Sequence, residues 1–245
     1  MTELSREERM RLINEKMALL PGNDIRYSLD KTLSGQDPVL QGKTVLFLGS
    51  SVTYGFAALG EAFPDYMRKR DGMNSVKEAV SGTTLVWDEN EKESYIERLQ
   101  KMDTQIHADA FMCQLSTNDA RPDKPKPLGK ISDSRDIQDF DITTITGAME
   151  YIIAYAQKTW NCPVSFYTGT KFDNELYAKM VERLSELKDK WGISILDLWH
   201  DQEMNDVTKE DYALFMNDPV HPTRAGYRDW WTPKFEEFFR RQFTK

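Results

Sequence analysis

Residues 44–55 read Thr-Val-Leu-Phe-Leu-Gly-Ser-Ser-Val-Thr-Tyr-Gly. The first five are a short apolar run of strand length without polar alternation, which predicts a strand buried on both faces. A tight loop over 49–56 follows, then a helix-like segment over 61–71 stopped by Gly72. A strand that runs through a glycine-flanked turn into a helix is the opening unit of an alternating α/β domain.

Outward from this unit the alternation continues. Val76–Val80 reads as a second, weaker strand, followed by a Ser-Gly-Thr-Thr turn and a charged amphipathic segment over about 89–102. Ala110–Leu115 is a third strand, 143–160 a long helix, and Pro163–Thr168 a fourth strand. Asn174–Trp191 is a helix closed by Gly192, Ile193–Leu198 a fifth strand, and 223–242 an aromatic-rich helix. Upstream, Ser5 with Glu8 three positions on caps a helix over 5–20, with Met10, Ile13, Met17 and Leu20 near one face. Pro21 and Gly22 stop it, and a turn-rich stretch runs to Gly42. The expected organisation is an N-terminal helix and irregular arm (1–42) packed on one domain (43–245). Short apolar strands alternating with helices make that domain a three-layer α/β/α fold around a five-stranded parallel sheet.

Composition narrows the class. The 245 residues suffice for a substantial core, and 40% hydrophobic with 29% charged residues is the balance of a globular protein. A net charge of −8 argues against the basic surface of a nucleic-acid binder. No run approaches the roughly 18 apolar residues of a membrane span. The mixed-charge N-terminus does not look like a secretory signal, so a cytoplasmic location is expected. Cys113 and Cys162 are too few for a disulfide scaffold and read as reduced core residues.

In open parallel sheets ligands bind beyond the carboxyl ends of the strands. After the first strand that rule selects Ser51, a candidate nucleophile in a tight turn. After the second it selects Gly82, whose N–H can face the crevice. After the third it selects Asn118, a carboxamide donor. Acyl transfer develops charge on the carbonyl oxygen, and fixed N–H groups from Ser51, Gly82 and Asn118 would stabilise it. A serine also needs a base. His221 lies in Asn-Asp-Pro-Val-His-Pro (217–222), where Asp218, three residues earlier, can hold the imidazole in one tautomer.

Four pieces, LGSSVTYG, VSGTT, LSTND and DPVHP, stand in order along the chain and resemble the four blocks of the SGNH (GDSL-like) hydrolases. Matched residue by residue, the resemblance implies Ser51 as nucleophile, Asp218 and His221 as the rest of the triad, and Ser51, Gly82 and Asn118 as oxyanion donors. It implies a flavodoxin-like sheet of order 2-1-3-4-5 and a serine esterase with no metal or organic cofactor, acting on a small-molecule ester. Ser50 departs from the family's usual Gly-Asp-Ser by standing where the Asp would be. That Asp is not the triad carboxylate, so the change is expected to alter hydrogen bonding at the turn rather than to abolish activity, and it could shift substrate preference.

Other residues offer weaker candidates. His200, with Asp197 and Asp201 nearby, is the second choice of base, and His107 reads as structural. Lys124, Lys126 and Lys130 in the proline-rich 121–135 stretch could rim the site and meet an anionic substrate. Tyr54, Phe56 and Trp87 could line an acyl or sugar pocket, or pack beneath the turns. A small acyl group on a soluble alcohol such as a sugar is the expected ester. Three other readings stay open: an acyltransferase, a flavin- or phosphate-binding domain, and a non-catalytic carbohydrate-binding protein on the same scaffold.

Overall fold

Leu46 and Leu48 belong to the core on one side of the sheet and Val45 and Phe47 to the core on the other, and all four are fully buried. Their strand, β1 (Thr44–Gly49), lies between β2 (Asn74–Ala79) and β3 (Ala110–Gln114), with β4 (Val164–Tyr167) and β5 (Ser194–Leu196) beyond β3. All pairings are parallel and the order is 2-1-3-4-5. The expected α/β architecture and strand order are therefore observed. The computed structural model describes residues 5–244, apart from the side chains of Arg6, Glu7, Arg9 and Met10. The expected place of Met10 on the first helix lies outside the described residues.

The helices are α1 (Arg6–Ala18), α2 (Ser51–Tyr54), α3 (Phe63–Asp71), α4 (Tyr95–Leu99), α5 (Ile145–Trp160), α6 (Glu175–Trp191), α7 (Gln202–Asn205), α8 (Lys209–Phe215) and α9 (Thr232–Phe243). On one face of the sheet Leu46, Leu48, Phe111 and Phe166 meet the apolar sides of α4, α5 and α6. On the other, Val45, Phe47, Met112 and Tyr167 meet Phe63 and Tyr66 of α3 and Phe235 and Phe239 of α9. Phe47 touches Phe63 and Phe239 edge to face, with centroids 5.5 and 6.0 Å apart. Each such fully buried aromatic contributes about 1.5–3 kcal/mol relative to exposure. Cys113 and Cys162 are buried and unpaired, as expected. Burial pushes the Cys162 thiol up to about 11.

Several elements differ from the sequence reading. The amphipathic stretch over 89–102 is helical only at α4, because Ser94 and Glu97 form a reciprocal cap that starts the helix there. Two helices, α7 and α8, are four and seven residues long, too short to show a helical period in the sequence. The C-terminal helix expected over 223–242 is present, running without a break from Arg224 to Phe243, but residues 226–231 within it are wound as a widened π-type turn ahead of α9, where the Tyr227 hydroxyl donates to the Val52 carbonyl at 2.6 Å. Among the described residues no helix is long and apolar enough to cross a membrane.

Candidate active site

Ser51 opens α2 immediately after β1 and is 6% exposed. Its Oγ lies 2.8 Å from His221 Nε2, and His221 Nδ1 lies 2.9 Å from both carboxylate oxygens of Asp218. Asp218 Oδ1 also accepts the Val220 and His221 amides, and Oδ2 accepts the Asn217 carboxamide. Partial burial alone would raise the Asp218 carboxyl. The His221 hydrogen bond and charge, with the Val220 and Asn217 donors, instead hold it down to about 2. An ionised carboxylate thus faces the imidazole at ordinary pH. The Phe56 ring packs against the imidazole with centroids 5.3 Å apart.

Gly82 occupies an exposed turn after β2 with φ +86, a left-handed conformation natural to glycine. It lines a cleft of about 370 Å3 with Ser81, Thr83 and Arg121. The Asn118 carboxamide donates to the Thr83 carbonyl at 2.9 Å, which leaves its second N–H for a ligand. The turns after β2 and β3 are thus joined directly. His200 does not join this group: its Nδ1 pairs with Asp197 at 2.8 Å, beside β5, while the Ser51 hydroxyl is bonded to His221. His107 is exposed ahead of β3.

Residues not singled out from sequence hold these turns in place. Arg98, 5% exposed, directs all five N–H donors to protein acceptors: Gly49 O, Thr83 Oγ1, Glu93 O, and the carbonyl and carboxylate of Glu78. It thereby ties the end of β1 to the Gly82 turn. Asp119, fully buried, accepts the Leu85 and Val86 amides at 2.9 and 3.1 Å and anchors the same loop from below. Burial raises its carboxyl to about 6 against the pull of those amides, Ser116 and Lys126. Gln114, the one polar residue of β3, accepts from Ser50 N–H and from the Thr53 amide and hydroxyl, and donates to Ser50 Oγ at 3.0 Å. A polar side chain inside an apolar strand was the available signal for Gln114, as an arginine on an apolar helix face was for Arg98.

The rim differs from expectation. Lys124 and Lys126 are drawn to Glu91 and Asp88, at 2.5 and 2.6 Å, because these carboxylates lie on the facing loop. Two of the three lysines expected to meet an anionic substrate are thus neutralised within the protein, and Lys130 lies exposed. Tyr54 is half-buried, and Trp87 is exposed at 37%. Between the carboxyl ends of β1, β3 and β4 and the His221 loop lies a small apolar cavity of about 10 Å3, lined by Val52, Leu115, Thr117, Phe172, Pro219 and Val220 among others. That is space for about one water-sized group. Among the described residues no three His, Cys, Asp or Glu side chains cluster in a way that could hold a metal ion.

Residues 47–228 match the model of the GDSL-like Lipase/Acylhydrolase family. Among solved structures, a protein from Lactobacillus plantarum superposes with a TM-score of 0.66 at 22% identity, covering 81% of this chain and 97% of that one. A Bacteroides ovatus protein described as a GDSL-like lipase does so with a TM-score of 0.60 at 17% identity, over 82% and 99% of the two chains. The inhibitor-bound aryl esterase of M. smegmatis gives 0.52 at 13%, over 80% and 98%. At these identities the likeness is one of fold. No curated protein matches the chain.

Proposed function

The chain belongs to the GDSL-like lipase/acylhydrolase family, and on that footing we propose that it is a serine esterase in which Ser51 is the nucleophile, His221 the general base and Asp218 the residue that orients it. The observation that carries this reading is the unbroken hydrogen-bonded line from Ser51 Oγ through both imidazole nitrogens to the Asp218 carboxylate.

In this mechanism the Ser51 oxygen attacks the ester carbonyl carbon as its proton passes to His221 Nε2. The carbonyl π pair moves to oxygen, and the oxyanion is met by the Ser51 and Gly82 amides and the remaining Asn118 N–H. Each such donor is worth on the order of 10²–10³ in rate. Collapse breaks the bond to the alcohol oxygen, which takes the proton from Nε2. Water then attacks the acyl-enzyme, gives its proton to His221, and a second collapse returns that proton to Ser51 and frees the acid. Asp218 stays ionised throughout and stabilises the imidazolium.

The apolar cavity of about 10 Å3 favours a short acyl group, since one methyl fills such a space. An acetyl ester of a soluble alcohol, such as an acetylated sugar, fits this reading better than a long-chain lipid. The test is hydrolysis of p-nitrophenyl acetate and labelling by a fluorophosphonate. The wild type should do both, and Ser51→Ala and His221→Ala should lose at least about 10³-fold in kcat. Equal rates in all three proteins would refute the assignment.

A further inference from the structure

The segment matched by the family begins at residue 47 and leaves out the N-terminal arm. We propose that this arm is part of the esterase machinery, and that Asn23 is a positioning residue that fixes the His221 loop against the Ser51 segment. The kinetic side of this proposal rests on the esterase reading above.

Asn23 is 3% exposed, and its carboxamide contacts three separate parts of the chain. Its oxygen accepts the Arg224 amide at 2.8 Å, three residues beyond His221. Its nitrogen donates to the Ala57 carbonyl at 2.7 Å, six residues beyond Ser51, and to the Met17 carbonyl at 2.7 Å, next to the end of α1. Ala57 follows Phe56, whose ring rests on the imidazole. One buried side chain therefore bridges the flanks of both groups whose 2.8 Å contact would start the reaction.

Two neighbouring contacts reinforce the bridge. Gly22 lies so close to the chain on either side of the His221 loop that a Cβ there would fall 2.0 Å from the Leu214 carbonyl oxygen, in α8 before it, and 2.3 Å from Thr223 Oγ1 after it. The Arg224 guanidinium pairs with Glu61 at 2.5 Å, and the other Glu61 oxygen accepts the Leu29 amide of the arm at 3.0 Å. The arm, the turn after Ser51 and the start of the last helix thus form one hydrogen-bonded unit. Orientation of reacting groups is steep in its effect: a misplacement of about 1 Å can cost about 10²-fold in rate. A side chain that sets the spacing of nucleophile and base therefore affects kcat more than KM.

The experiment compares full-length wild type, Asn23→Ala and Val164→Ala. Val164 is buried at the amino end of β4, away from the site, and its truncation supplies a loss of stability without touching the bridge. Four quantities are measured: melting temperature, kcat and KM on p-nitrophenyl acetate, the rate of fluorophosphonate labelling, and the His221 imidazole signals by NMR. The chain has three histidines, and His221→Ala identifies the signal. Asn23→Ala should lower kcat and labelling about 10- to 100-fold with KM within twofold, and should displace the His221 signals. Val164→Ala should lose stability alone. An Asn23→Ala protein that loses only melting temperature, with kcat, labelling and the His221 spectrum unchanged, overturns the proposal. If the wild type neither hydrolyses nor labels, the esterase reading fails by itself. The His221 spectrum then decides: a displaced signal supports the bridge and an unchanged one refutes it. Should the alanine variant not fold, Asn23→Ser, too short to span the three partners, is read in the same way.

Discussion

The Gln114 carboxamide grips Ser50 at two points, accepting its amide at 2.9 Å and donating to its hydroxyl at 3.0 Å. Ser50 is fully buried and stands where the family pattern has an aspartate. The turn that carries Ser51 is thus fastened to the neighbouring strand by a neutral amide–hydroxyl pair. The Gln114 oxygen also serves the Thr53 amide and hydroxyl and the Tyr167 hydroxyl.

Gln114→Ala should therefore damage both stability and catalysis. It leaves the Ser50 and Thr53 amides buried without their acceptor, at about 1–3 kcal/mol for each unsatisfied group. A melting temperature lower by about 4–24 °C is expected, at about 2–4 °C per kcal/mol for a chain of this size. Gln114→Glu keeps the acceptor oxygen and should lose less. Calorimetry of the two variants beside p-nitrophenyl acetate turnover checks the order.

Asp218→Asn should lower kcat by about 10²–10⁴ with little change in KM, because the amide neither fixes the same tautomer nor stabilises the imidazolium. The pH dependence of stability has a definite sign. The folded carboxyl is held near 2, below its usual 3.8, so its contribution is present above pH 4 and is lost as pH falls through 2. Acid unfolding of the asparagine variant should lack that component.

Phe172→Ala should widen the small cavity beside Val52 and Val220. The wild type is expected to lose activity from acetate to butyrate to octanoate esters. A pocket difference of one methylene is worth about 10- to 200-fold in discrimination, so the variant's butyrate-to-acetate ratio should rise at least tenfold. A chain-length profile identical to that of the wild type would show that the cavity does not hold the acyl group.

Asp71 and Glu236 are two buried carboxyls between α3 and α9, each 4% exposed, with Arg70 and Arg240 close by. Burial and the Glu236 charge push the Asp71 carboxyl up to about 7, against the pull of the two arginines. The folded state therefore retains a proton that the unfolded chain releases near pH 4, and stability falls as pH rises from about 4 to 7. In Asp71→Asn that fall should be reduced, so the melting temperature of the variant gains on the wild type by about 2–4 °C for each kcal/mol recovered at neutral pH. Melting curves between pH 4 and 8 measure it.

The strand at 44–48 and the residues after each strand were legible because apolar runs and strand-end turns are local signals. Ser51, His221 and Asp218 meet as the spacing and the family blocks implied, and Asn118 joins the Gly82 turn through Thr83. What was not legible are partnerships made only by folding. Arg98 looked like one charge in an amphipathic segment, yet its hydrogen-bond acceptors come from four stretches of chain and its charge is met by the Glu78 carboxylate. Asn23 looked like a turn residue, and its partners lie as far away as Arg224. Lys124 and Lys126 read as a cationic rim because Asp88 and Glu91, more than thirty positions earlier, face them only in the folded loops.

The widened turn over 226–231 sets a phase between His221 and the last helix. Each helical residue advances the side chains by about 100°. A π-type turn holds one residue more than an ordinary helical turn, so removing one residue here would restore ordinary winding and leave Phe235 and Phe239 facing the sheet. The same deletion inside α9 would turn everything after it by about 100°, so the last helix tolerates a change of length at 226–231 that it does not tolerate further on.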